Sequence, residues 1–76
     1  MKIGNITLIV GETYYTKFGE TIEKLKLEKI HFERICENDI QVSVSRFPKN
    51  RNEKNTNSWF LWSSEIYHTR DEAIKN

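Results

Sequence analysis

Seventy-six residues make a single domain, 1–76, with a small core, because a chain this short buries only about 60% of the surface its unfolded form exposes. Twelve Lys and Arg against eleven Asp and Glu leave a net charge of +1, which excludes strong global attraction to nucleic acid or anionic lipid. A single cysteine, Cys36, excludes an internal disulfide and cysteine-rich zinc chemistry and fits a reducing cytoplasm.

The start, Met1-Lys2-Ile3-Gly4-Asn5-Ile6, lacks the apolar run and small-residue cleavage site of a secretory signal. No apolar run approaches the roughly 20 residues that span a bilayer, so a cytoplasmic protein without membrane contact is expected. Residues 6–10 are β-branched and apolar, and Gly11-Glu12 separates them from Thr13-Tyr14-Tyr15-Thr16, which together predict one bent first strand. Phe18-Gly19-Glu20 predicts a tight turn, because glycine accepts a positive φ without steric cost.

Residues 21–35 are rich in Glu and Lys, which favour helix, yet their apolar positions scatter around a helical wheel instead of forming one stripe. As a strand, Leu25 and Leu27 alternate with charged residues, while Ile30 and Phe32 alternate in the opposite parity. One extra residue near Glu28-Lys29 reconciles the two sets, as a β-bulge does, and it bends the strand. The fold expected is therefore mainly β, a small five-stranded barrel with a short C-terminal helix. The alternative is an α+β domain with a helix at 20–36 on a three- or four-stranded sheet.

Glu37-Asn38-Asp39 predicts a turn, and Ile40-Gln41-Val42-Ser43-Val44-Ser45 alternates as a strand with one buried and one wet face. From Pro48 to Asn57 no residue is hydrophobic except the proline, so 47–57 is expected as a polar hairpin loop. Trp59-Phe60-Leu61-Trp62 resumes strand composition and should pair back with 40–46. Residues 64–68 then cross over to a short helix at 69–75. There Thr69 and Glu72 have the spacing of a capping box, the Thr69 hydroxyl accepting the Glu72 N–H. Successive strand residues face opposite sides, so Trp59, Phe60, Leu61 and Trp62 cannot all turn inward. The crossover and helix, through Ile66, Tyr67 and Ile74, are expected to cover the outward rings; failing that, a partner chain would.

Val10-Gly11-Glu12-Thr13-Tyr14-Tyr15, the Gly19 turn, the bent charged strand ending at Ile30, and the finish Ser64-Glu65-Ile66-Tyr67-His68-Thr69-Arg70-Asp71-Glu72-Ala73 carry a resemblance. Together they resemble small bacterial and phage-borne SH3-like β-barrel proteins that end in a Thr-x-x-Glu-Ala helix. The resemblance implies an SH3-like barrel and a phage or mobile-element origin, without implying any single activity. The polar segment 46–58 departs from the tight hairpin of that family.

Chemistry-bearing residues are sparse. His31, Cys36 and His68 lack the paired short spacing of a zinc site, so no metal is expected. Cys36 has no adjacent base to activate it as a nucleophile. The carboxylates alternate with Lys or Arg, and Gly4, Gly11 and Gly19 stand too far apart to cradle a phosphate, so neither catalysis nor a cofactor is expected. One constellation remains: Arg46, Lys49, Arg51 and Lys54 against the single carboxylate of Glu53, interleaved with asparagines and bounded by Phe47 and Trp59. With Trp59 and Trp62 these cations are the candidate binding residues. The function expected is a non-enzymatic module that binds a host protein stoichiometrically and inhibits a host defence factor. The alternative is a small nucleic-acid-binding barrel using the basic 46–57 loop, whose cations would meet phosphates while an aromatic stacks a base.

Overall fold

A computed structural model of the chain describes residues 2–4, 6–47 and 57–75. Strands β1 (Lys2–Ile3) and β2 (Ile6–Thr7) form a small antiparallel pair. Strands β3 (Thr13–Phe18), β4 (Thr21–Cys36), β5 (Asp39–Arg46), β6 (Ser58–Trp62) and β7 (Ile66–Tyr67) form a five-stranded antiparallel sheet in the order β6-β5-β4-β3-β7. A 3₁₀ turn, Ser63–Glu65, joins β6 to β7, and helix α1 (Arg70–Lys75) ends the chain. The fold is thus mainly β with a short C-terminal helix. Among the described residues the ladder does not close on itself, and β6 and β7 are its two edges. The basic segment Pro48–Thr56, with Lys49, Arg51 and Lys54, lies outside the described residues.

The helix considered for 20–36 is overturned, because those residues form β4, the longest strand at 16 residues. Its period explains why. Leu27 pairs with Val44 and Lys29 with Ser43, leaving Glu28 as the extra residue of a bulge. The bulge restores Ile30 to the face already occupied by Leu25 and Leu27, and all three are buried. The Glu28 carboxylate accepts a 2.5 Å hydrogen bond from the Ser45 hydroxyl, which pins the bulge to β5. A second irregularity was not legible in the pattern: His31 pairs with Gln41 but Ile35 with Ile40, so Phe32, Glu33 and Arg34 fall outside the ladder.

Two hairpin turns set the register of β3, β4 and β5. Gly19 takes φ +59° at the first position of the turn between Phe18 and Thr21. In the turn between Cys36 and Asp39 the same position is held by Glu37 at φ +54°, a conformation few non-glycine residues adopt.

The core is one cluster of Leu8, Tyr14, Leu25, Leu27, Ile30, Ile40, Val42, Val44, Leu61 and Ile66, with Ile6 at its margin. The single bent first strand does not form; β2 ends at Thr7 and β3 begins at Thr13. Between them Glu12 N–H returns to the Ile9 carbonyl in a turn, with Gly11 at φ +94°. The segment still rides on β4, because Gly11 N–H donates to the Leu27 carbonyl and Leu27 N–H to the Glu12 carbonyl.

The Thr69 cap forms: Glu72 N–H donates to the Thr69 hydroxyl oxygen at 3.1 Å. Helix α1 buries Ala73 and packs on β3, β7 and β4, leaving Ile74 exposed. The helix therefore sits away from β6, and the cover expected for the outward aromatic rings is not supplied by it.

Candidate functional site

The cross-strand register decides which aromatic turns which way. Trp59 stands opposite Val44 and Leu61 opposite Val42, so both face the core; Phe60 stands opposite Ser43 and Trp62 opposite Gln41, so both face out. Trp59 is half-buried against the core, its ring 6.1 Å from that of Phe18, and its indole N–H is buried without a hydrogen-bond partner among the described residues. Arg46 is half-buried at the end of β5, where its N–H donates to the Asn57 carbonyl at 3.3 Å and extends the ladder one pair past Ser58. The Lys24 ammonium sits over the Phe47 ring, 5.1 Å from its centroid. Of the candidate residues, the structure turns Trp59 inward and Trp62 outward, and so does not bring the two indoles to one surface.

The outward face of β4, β5 and β6 carries a set that sequence reading only half found. Lys29, Ser43 and Phe60 form one cross-strand row, and His31, Gln41 and Trp62 the next. Phe60 is 61% exposed and meets the His31 ring edge-on at 5.3 Å, while Trp62 is 36% exposed. Phe32, also 61% exposed, and Ile35, 52% exposed, belong to the irregular end of β4. The second break in register was the missing signal: without it, Phe32 continues the inward parity of Ile30.

His31 is the most connected polar group on this face. Its Nε2 lies 2.6 Å from the Ser43 hydroxyl and its Nδ1 3.5 Å from the Glu33 carboxylate. Glu33's own backbone N–H holds its carboxyl below the ordinary value, and His31 and Lys29 add to this against a desolvation that opposes it. The connectivity is that of a nucleophile, a base and an orienting carboxylate, but acyl transfer also needs donors converging on the developing oxyanion. Ser43's backbone is enclosed in the ladder between β4 and β6, and the face around it is open. The chemistry this arrangement performs is a cross-link between β4 and β5 that fixes the imidazole beneath Phe60.

A second concave region, about 330 Å³, lies between the β1–β2 pair, the 3₁₀ turn and α1, and includes Asn38, Ser63, Tyr67, His68 and Glu72. Its principal polar groups are bonded within the fold. His68 Nε2 accepts the Thr7 N–H at 3.2 Å, and its ring lies 5.6 Å from that of Tyr14. At its margin Asp39 accepts from the hydroxyls of Ser63 (2.5 Å) and Ser64 (2.7 Å) and from the N–H groups of Ser64 (2.9 Å) and Ile40 (3.1 Å). Burial alone would raise the Asp39 carboxyl; these donors outweigh it and hold the group below its ordinary value. Among the described residues no three of His, Cys, Asp and Glu group as metal ligands, and no helix is long and apolar enough to cross a membrane. Compared with family models, with curated proteins and with solved structures, the chain matches none.

Proposed function

We propose that the protein is a non-enzymatic binding module that engages a protein partner stoichiometrically through the outward face of β4–β6. The observation that carries this reading is the placement of Phe60 and Trp62 on the wet side of the sheet, with the C-terminal helix packed on β3, β7 and β4. Large rings left outside a small domain that has few to spend on its core mark an interaction surface. Aromatic anchors of this kind carry most of the energy in protein–protein interfaces. The reading extends to an SH3-like barrel of phage or mobile-element origin that inhibits a host defence factor; what supports it is the resemblance from Val10-Gly11-Glu12 through Thr69-x-x-Glu72-Ala73. The rival is a nucleic-acid-binding barrel using the 46–57 segment.

Affinity capture from a bacterial lysate, with and without nuclease, tests the reading against its rival. A protein recovered in equimolar amount after nuclease treatment, and lost with the Phe60→Ser/Trp62→Ser variant, is the expected result. Capture that vanishes with nuclease, or that the double variant leaves unchanged, overturns it.

A further inference from the structure

Parity sorts the charges of β4 between the two faces of the sheet. Leu25 pairs with Tyr14 and Glu23 with Thr16 on the core side, so Lys26, which pairs with Thr13, points outward. Glu28 takes up the bulge, and Lys29 beyond it joins the outward row of Ser43 and Phe60. Lys26 heads the neighbouring row, with Ser45 and Ser58. The face that presents Phe60 and Trp62 along β6 thus presents Lys26 and Lys29 along β4. Between them β5 lays a low floor of Ser45, Ser43 and Gln41, all buried or half-buried. Glu28 and Glu33 also reach this face, but both are engaged, Glu28 by the Ser45 hydroxyl and Glu33 by His31. Lys26 and Lys29 are exposed and close no ion pair among the described residues, although the field of Lys29 reaches Glu33.

We propose that this face receives an acidic segment of a protein partner, whose carboxylates sit on Lys26 and Lys29 while its apolar side chains pack on Phe60 and Trp62. The proposal rests on the protein-binding reading above and specifies the partner's chemistry. Area and charge together choose this occupant. The exposed parts of Phe60 and Trp62 amount to roughly 200 Å², about a quarter of the 800 Å² that each side of a stable globular interface buries. Apolar contact alone therefore holds no partner here, and the two ammonium groups beside the rings supply the complement. Their rows meet β5 at Ser45 and Ser43, two residues or about 7 Å apart, which is the spacing of alternate side chains in an extended segment. A second copy of the chain presenting the same face would set lysine against lysine, a juxtaposition that disfavours it. A nucleic-acid backbone would carry its continuous charge past Glu28 and Glu33 as well, whereas carboxylates set at chosen positions meet the lysines alone.

The peptide Glu-Thr-Glu-Leu-Thr-Phe, blocked at both ends, tests this when titrated into the isotope-labelled full chain at low salt. Saturable shifts of the Lys26, Lys29, Ser43, Phe60 and Trp62 amides are expected. Exchanging the two glutamates for glutamine should weaken binding about fivefold or more, as should Lys26→Gln/Lys29→Gln, and added salt should narrow the difference. Both lysines are exposed, so the double variant should fold as the wild type does. Absence of saturable binding up to about 1 mM overturns the inference. Equal binding of the glutamine peptide also overturns it, as does tighter binding of an oligothymidylate on the same amides, or a dimer of the free protein that Phe60→Ser dissolves. The protein captured from lysate separates this inference from the reading beneath it. Capture lost with Phe60→Ser/Trp62→Ser but untouched by Lys26→Gln/Lys29→Gln leaves the aromatic docking reading standing and sinks the acidic partner alone. Capture that the aromatic variant leaves unchanged sinks both.

Discussion

The Tyr14 hydroxyl takes the place of a missing strand partner for the segment that contains Thr7: it donates to the Thr7 carbonyl at 2.8 Å and accepts the Ile9 N–H at the same distance. Residues 8–12 belong to no strand, yet Leu8 is fully buried in the core. One phenolic oxygen thus serves two backbone groups that a ladder would otherwise satisfy.

Tyr14→Phe should therefore cost more than one ordinary hydrogen bond. It leaves a part-buried donor and a part-buried acceptor without their partner while preserving the ring's packing, so a loss of about 1–3 kcal/mol in chemical denaturation is expected. Hydrogen exchange at the Ile9 amide should accelerate before the core amides of β4 and β5 do. A variant as stable as the wild type, with Ile9 still protected, would show that the hydroxyl contributes nothing.

The C-terminal helix is short, and its N-cap is correspondingly important. Thr69→Ala removes the oxygen that accepts the Glu72 N–H, and about 0.5–2 kcal/mol should be lost. Thr69→Ser, which keeps the hydroxyl, should recover most of it. Because α1 packs on β3 and β7 and not on β6, the same substitution should leave the Phe60 and Trp62 face unaltered, which Trp fluorescence can follow.

How much of this was legible in the sequence depends on how local each cause is. The alternation of Ile40 to Ser45, the parity conflict between Leu27 and Ile30 that demands one extra residue, and the Thr69–Glu72 spacing are short-range patterns, and each produces the element it predicts. The Asp39 contacts with Ser63 and Ser64 join residues more than 20 positions apart, and no local pattern encodes them. The same holds for Tyr14, whose role exists only once β3 is curled over residues 7–9. Alternation dictates that Trp59 and Trp62 face opposite ways, but only the pairing of Trp59 with Val44 says which is inside. The exposure of Phe32 was hidden for a similar reason: it reads as core until the register slips past it.

Glu37 holds a backbone conformation better suited to glycine. At φ +54°, its Cβ crowds the neighbouring carbonyl, and the penalty of about 1–2 kcal/mol exceeds the entropic cost of a glycine in the unfolded chain. Glu37→Gly should raise stability by roughly 0.5–1 kcal/mol, whereas Glu37→Val should lower it. A β-branched variant as stable as the wild type would show that the turn relaxes at no cost.

Asp39 should make the fold sensitive to acid. Its carboxylate receives four donors from Ser63, Ser64 and Ile40, which tie the start of β5 to the 3₁₀ turn, and its pKa is held below the ordinary 3.8. A carboxyl with a depressed folded pKa stabilises the native state fully above its unfolded value, and that contribution disappears as the pH falls through the folded one. Wild-type stability should thus show a component that is flat near neutrality and declines below about pH 4. Asp39→Ala should remove it, costing about 1.5–3 kcal/mol at pH 7 because a charged acceptor is lost and the hydroxyl of the buried Ser63 is left without it. At low pH the variant and the wild type should converge, since protonation has already weakened the same bonds in the latter. Urea denaturation of both proteins between pH 7 and pH 2 measures the difference, and a gap that stays constant across that range would show that the ionised form of Asp39 is not what holds the turn.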